Sequence, residues 1–457
     1  MTHDVPRMPP GPRGHWLLGN LPERRSDPLS LFLRGRERYG DVVRYPMGPL
    51  VMYQLSHPDD VKRVLVDNAQ NYQKTALMRR LGAVLGEGLL LSEGELWKRQ
   101  RRLAQPAFHR ERLQGMTGHI TRLIEEALPH WDALADRGEP FDLAAELMRL
   151  VLSLTGQVLF GADLSGSASD MGRAVTTVLE EMNRRVLSAL PLPALLPLPG
   201  QLRLRSALRV LDRIVYGIID GRHRQADSRP DLLSLLMDAR DADTGEGMSD
   251  RQLRDEVMTL ILAGHETTAN ALAWTFHLLQ GHPEAEGRLV DEVSSVLGGR
   301  VPTFQDVPLL RYTARVFDES MRLYPPAWLI SRVALADDVL GGYPLPAGSI
   351  VVMLPYVIHR HPDYWERPDV FDPDRFLPER SRTRPRYAWL PFGGGQRMCI
   401  GSGLALLEAH LTLAMLARRY HFQAMPGHPV VPQALVTLRP RFGLKVVARR
   451  RDAGGSA

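Results

Sequence analysis

The chain has 457 residues, of which 44% are apolar and 24% charged, the proportions of an ordinary globular protein rather than a disordered or fibrous one. Its net charge of +5 is carried almost wholly by arginine, since Lys62, Lys74, Lys98 and Lys445 are the only lysines, and it is not gathered on one helix with aromatics, so nucleic-acid binding has no support. One cysteine, Cys399, rules out an internal disulfide and any four-thiolate metal site, and agrees with a reducing compartment.

In chain order, Met1 to Leu21 holds no apolar run long enough to span a bilayer or serve as a signal peptide, but it does carry Pro9-Pro10-Gly11-Pro12. Alternation around Val42–Tyr45 and Leu50–Tyr53, with Gly48-Pro49 between, predicts a hairpin, and a short helix is predicted from Pro58 to Asn68. From Trp97 to Leu297 the text is nearly all helical, broken by the apolar run Leu190-Pro191-Leu192-Pro193-Ala194-Leu195-Leu196-Pro197-Leu198-Pro199. The longest helix is predicted from Ser249-Asp250 to about Gly281, about 50 Å at ~1.5 Å per residue. A β-rich stretch covers Leu329 to Val352, a helix covers Leu404 to Tyr420, and Ala434–Leu438 with Gly443–Ala448 reads as a closing hairpin. Many helices with small segregated sheets make the fold class mainly α.

Four segments carry chemistry. In the middle of the longest helix stands Ala263-Gly264-His265-Glu266-Thr267-Thr268. Gly and Thr cost a few tenths to ~1 kcal/mol each there relative to alanine, so the segment either packs closely on another helix or opens locally at a functional site. His265 falls on another face and reads as packing. Glu319 and Arg322 stand three apart on one helix, ending at Leu323-Tyr324-Pro325-Pro326. Trp97 and Arg101 occupy adjacent turns of one face, so an indole N–H and a guanidinium could meet one anion, or simply lie at the surface. Last, Pro391-Phe392-Gly393-Gly394-Gly395-Gln396-Arg397-Met398-Cys399-Ile400-Gly401 puts the lone cysteine just before a helix N-terminus, where free N–H groups favour a charged sulfur, with Arg397 as a nearby cation. A packing cysteine is the commoner use of such a residue.

Phe392-x-x-Gly395-x-Arg397-x-Cys399-x-Gly401 resembles the haem-binding loop of the cytochrome P450 family without departure. Ala263-Gly264-x-Glu266-Thr267-Thr268 is similar to the family's oxygen-activation motif, and Glu319-x-x-Arg322 to its E-x-x-R helix. The resemblance implies haem b with Cys399 as axial thiolate, a ligand that pushes electron density onto iron and favours O–O cleavage. It implies Phe392 near that ligand, and Trp97, Arg101, Arg332 and Arg397 toward the haem propionates. Thr267 and Glu266 would be catalytic, handling dioxygen or a neighbouring water and relaying protons, with Ala263 leaving room above the haem. Arg375, in Phe371–Phe376, would join Glu319 and Arg322 in a structural network bracing the Cys399 segment. The motifs run in the family's order from 97 to 401, so 1–457 is expected to be a single domain of the P450 type. Its proline-rich lead, 1–20, resembles the hinge of membrane-bound relatives, and neither an anchor before it nor a reductase domain is expected.

Segments expected to line the substrate pocket offer Leu77, Met78, Leu81, Leu85, Ala263, Trp328, Leu329, Ile330 and Leu435, apolar and bulky, which suits hydrophobic cargo. Terpenoids, carotenoids, fatty acids and macrolides remain open; Leu323–Leu329 resembles bacterial members that oxidise terpenoids or carotenoids. The run from Leu190 to Pro199, where the family places its entrance lid, could touch membrane. The expected activity is monooxygenation of a hydrophobic small molecule with dioxygen and NAD(P)H electrons passed by a ferredoxin and ferredoxin reductase. Lys98, Arg99, Arg102 and Arg110 would mark the docking face. A monomeric, cytoplasmic protein without a transmembrane anchor is expected. The alternative is a haem-binding sensor or carrier without turnover.

Overall fold

Glycine and capping side chains cut the helical text into its pieces. The structure, a computed structural model, describes residues 8–162, 168–187, 199–224, 231–240 and 245–451. Among these, the helices of more than ten residues are α1 (Pro28–Tyr39), α2 (Gly94–Ala104), α3 (Arg110–Arg137), α4 (Leu143–Phe160), α5 (Ala168–Leu187), α6 (Pro199–Arg224), α7 (Asp250–Gln280), α8 (Pro283–Leu297), α9 (Arg311–Leu323) and α10 (Ser402–Arg419). Left-handed Gly138 and Gly161 close α3 and α4, a conformation glycine adopts without Cβ strain. Asp142 caps α4 by accepting from Ala144 N, and Ser249 and Gln252 form a reciprocal capping box at the start of α7. The apolar run 190–198 lies outside the described residues, as does the side chain of Leu77; Pro199 opens α6.

Helix α7 is buried along most of its length and packs on α4, α6, α9 and α10, so it is the beam around which the core forms. Helix α4 alone among the described residues is long and apolar enough to cross a membrane; here it lies largely buried against α7. A five-stranded sheet flanks the helices in the order β1 (Val42–Met47), β2 (Leu50–Leu55), β8 (Ile350–Met353), β5 (Ile330–Ala334), β3 (Tyr72–Gln73). The strands β6 (Asp338–Leu340) and β7 (Tyr343–Leu345) make a separate pair. Small segregated sheets on a helical body match the expected fold class.

Two local expectations are corrected. The helix from Pro58 stops at Lys62 and continues as a single wider turn, Arg63–Asp67, which turns Val64 and Leu65 into the core while Arg63 bonds the Asp338 carboxylate (2.9 Å). The closing hairpin is not 434–438 with 443–448. Instead β10 (Pro432–Ala434) pairs with β11 (Leu438–Pro440), and β12 (Lys445–Arg450) pairs with β4 (Phe141–Asp142) and β9 (Tyr420–Ala424). Buried Val446 and Ala448 alternate along β12 and find their apolar partners on Phe141 and Phe422, distant in sequence, so burial rather than proximity set the pairing.

Candidate active site

The cysteine loop is shaped by its own backbone. Cys399 N donates to Phe392 O (3.0 Å), closing the loop under half-buried Phe392, and Gly395 fits so tightly against the Leu65 carbonyl that no Cβ could be placed there. Cys399 is an exposed, free cysteine. Burial pushes its thiol upward, opposed by the Gly401 N–H just ahead of α10 and by the Arg101 guanidinium. The cation acting on the sulfur is therefore Arg101, which also donates to Met398 O (2.8 Å), rather than Arg397 as the sequence suggested. Arg397, two residues before the cysteine, turns instead toward Trp97 and the Ser92 carbonyl.

Arg397 stacks over the buried Trp97 ring (3.7 Å to the centroid), donates to Ser92 O (2.9 Å) and pairs with Glu93. Lys74 joins it from the next segment, donating Nζ to the same Ser92 carbonyl (3.1 Å) while only 5% exposed. Arg332, on β5, donates to Ser331 O (2.8 Å) and is coupled to Glu93. Three cations thus share one acid. Burial and the neighbouring Arg397 and Arg332 push the Lys74 ammonium down to about 7, and burial takes Arg397 down to about 10. Lys74 and Glu93 were missed by sequence reasoning, because a single lysine and a single glutamate in loops carry no motif.

On α7, Ala263 is exposed and Gly264 and Thr267 half-exposed, although their helix neighbours are buried. Thr267 Oγ1 donates back to Ala263 O (2.6 Å), the arrangement that loosens a helix locally. Buried Glu266 accepts from Thr437 Oγ1 (2.7 Å), which accepts from Asn270 (3.2 Å); burial pushes the Glu266 carboxyl upward, toward its protonated form. Asn270 and Thr437 were also invisible to sequence reasoning, since their partners are 167 and 171 residues apart. His265 is buried against Met148 O (3.1 Å), a packing residue as expected.

The wall residues divide. Trp328 donates to Leu435 O (2.8 Å), Leu438 N to Pro326 O (3.0 Å) and Trp274 to Leu438 O (3.0 Å), which binds the turns carrying Leu329, Ile330 and Leu435 to α7 beside Glu266. All three leucine and isoleucine side chains are half-buried. Leu81 and Leu85 are instead buried in the main core.

Behind the loop, Arg322 donates to both Glu319 oxygens (2.7 and 2.8 Å), and Arg375 Nε and Asp372 N converge on Glu319 Oε1 (2.9 and 2.8 Å). Arg322 also donates to the carbonyls of His359, Pro368 and Val370, and Arg375 to those of Glu366 and Val370. His359 in turn accepts from Leu390 N (3.0 Å) and Trp365 donates to Ala388 O (3.2 Å), so the network reaches the residues that open the cysteine loop.

The family model described as Cytochrome P450 matches residues 9–446. Cyclooctatin synthase of Streptomyces melanosporofaciens is 40% identical over 430 residues, covering 93% of this chain and 92% of that protein. Cyclooctat-9-en-7-ol 5-monooxygenase of the same organism is 36% identical, covering 90% and 88%, and pentalenene oxygenase of Streptomyces avermitilis 34%, covering 92% of each.

Proposed function

Since the chain belongs to the cytochrome P450 family and is a monooxygenase, we propose that it oxidises a terpenoid, with Cys399 as the thiolate ligand of haem b and electrons arriving from a ferredoxin and its reductase. The donor set suits haem: an accessible sulfur at Cys399, accessible small residues at Ala263 and Gly264 of α7, and three cations sharing one acid that two propionates could answer. Lys74, Trp97, Arg332 and Arg397 would hold those propionates, and Arg101 would bear on the Cys399 side. Haem would supply the iron that binds and activates dioxygen.

The observation that carries the reading is the acid–alcohol pair on α7. The Thr267 hydrogen is committed to Ala263 O, which leaves its oxygen lone pairs to accept from water in the opened groove. Glu266, poised toward its protonated form, can move a proton from the Thr437 side to that groove. The wall at Leu329, Ile330 and Leu435 offers hydrocarbon contact and excludes water, and relatives of this length are named for terpenoid oxidation.

The reduced, carbon-monoxide-bound spectrum tests the assignment: a red-shifted Soret band is expected from the wild type and should be lost in Cys399→Ser, and its survival there would remove the ligand assignment. Thr267→Ala should retain haem and substrate binding, yet release hydrogen peroxide while product falls. Full coupling in that variant would reduce Thr267 to a packing residue. For electron delivery, Lys98 and Arg99 together with exposed Arg102 and Arg110 would supply the steering charge. Added salt should slow reduction by an acidic ferredoxin but not by dithionite.

A further inference from the structure

Three consecutive residues of α7, well before its oxygen-activation segment, grip one strap of chain. Arg254 Nη1 donates to Val84 O (2.9 Å), Glu87 N donates to Asp255 Oδ2 (3.0 Å), and Leu89 N donates to Glu256 Oε2 (3.1 Å). Arg254 also holds Asp212 of α6 through Nε (2.8 Å) and Nη2 (2.5 Å), and Asp255 Oδ1 through Nη1 (2.9 Å). The strap is cut to fit: a Cβ on Gly86 would overlap the Asp255 carboxylate, and one on Gly88 would overlap Thr259 Oγ1 and crowd the Asp255 carbonyl. Asp255 and Glu256 are 6% and 1% exposed, so these bonds are made out of water, where losing one is expensive.

One end of the strap runs into the main core against α7, and the other leads to the cation cradle. The short turn Gly82–Leu85 packs on α7 at one end, following Leu81. At the other, Gln100 of α2 donates to Glu87 O (2.9 Å), and Ser92 supplies the carbonyl shared by Lys74 and Arg397. Glu256, Ala263 and Thr267 fall on one stripe of α7, at positions i, i+7 and i+11.

Resting on the haem-monooxygenase reading above, we propose that Arg254, Asp255 and Glu256 are positioning residues that register α7 against the strap 84–92, and so fix the distal chamber's height and wall. None of the three touches the reacting atoms. They act through the strap, which ties α7 at Arg254–Thr259, just before Ala263, to the cation cradle at Ser92. A loosened strap lets the chamber open and its contents leave faster.

Two chemically unrelated variants test this on the haem-loaded protein, with 4-phenylimidazole as the probe because it ligates haem iron and carries an apolar ring. Glu256→Leu removes the acceptor for Leu89 N; Gly88→Ala keeps every acceptor but pushes the strap off the helix. Each should speed hydrogen exchange at the Glu87 and Leu89 amides on the order of ten- to a hundredfold, the loss of a bond to a buried charged or polar group. Each should also raise the 4-phenylimidazole dissociation rate at least severalfold, while the carbon-monoxide band stays in place. Glu256→Gln, which keeps an acceptor oxygen, should restore both rates toward wild type. Faster exchange with an unchanged dissociation rate would make the grip mere scaffolding, and unchanged exchange would mean the strap is held by something else. A wild type that fails to bind the probe would count against the haem reading itself, while exchange at the two amides would still report whether the grip exists.

Discussion

Two arginine-rich constellations flank the cysteine loop, and they differ in whether the chain finishes them. Around Glu319 every charge is answered: one fully buried carboxylate takes bonds from Arg322, Arg375 and the Asp372 N–H, and the spare guanidinium donors end on backbone carbonyls. Around Ser92, among the described residues, Lys74, Arg332 and Arg397 share Glu93 alone, and burial depresses all three cations, as it does Arg375 in the closed network. The same residue types thus do different work. A closed network holds the fold, and on the proposed reading the open one would hold an anion the chain does not itself contain.

The largest effect should come from breaking the closed network. Glu319→Ala strands two guanidiniums in a dry interior, at a cost of about 3–5 kcal/mol, a large share of the roughly 5–15 kcal/mol that keeps a protein folded. Little folded protein should accumulate, and any that does should melt far below wild type; a wild-type melting temperature would show that the brace is dispensable.

How legible each constellation was follows from the same distinction. The brace could be anticipated because Glu319 and Arg322 share a helix face, with Arg375 the one distant member. In the cradle, Trp97 and Arg397 drew notice by spacing and charge, Arg332 could be named only through the family resemblance, and Lys74 and Glu93 not at all, because convergence on the Ser92 carbonyl is a property of tertiary structure. Arg101 was legible in identity and not in direction: it turns to Met398 O and the sulfur, while Arg397 turns away. Helix limits were read well where a cap announced them, as at Ser249, and poorly where burial decided, as at Lys62 and along β12. Glu266 was legible, but Thr437, the residue that bonds it, lies on the far turn and has no local signal.

An intermediate effect, opposite in sign for empty and loaded protein, should come from Lys74→Met. In the protein without haem the Lys74 ammonium lies near 7, below the ~10.4 of an unfolded lysine. That depression opposes folding in full below about pH 7 and fades as pH rises from there toward ~10.4. The apoprotein of Lys74→Met should therefore be more stable than wild type at pH 6, with the gap closing by pH 9 to 10, as urea unfolding would show. Haem retention should move the other way, weakening about ten- to a hundredfold because a charge-assisted bond to a propionate is lost. Haem transfer to apomyoglobin measures it, and equal transfer rates would take Lys74 out of the cradle.

The smallest effect, and the one that most directly separates an open network from a closed one, is expected from Glu93→Gln. Among the described residues Glu93 is the sole acid paired with Arg397, and it also accepts from the Lys74 backbone N–H (3.0 Å), a bond that glutamine can keep. The substitution therefore removes the charge and, with it, the acceptor oxygen that faces Arg397. In the empty protein Lys74, Arg332 and Arg397 would then repel one another with no counter-charge, so stability should fall by about 1 kcal/mol, the upper range for a partly exposed pair. With haem bound, two propionates would supply the missing negative charge, and the loss should shrink or vanish. In the closed network no ligand could rescue Glu319→Ala in this way, because nothing outside the chain reaches Glu319. Comparing unfolding of Glu93→Gln with and without haem decides the matter. Equal losses in both states would mean that the three cations answer to the fold alone, and that the propionates lie elsewhere.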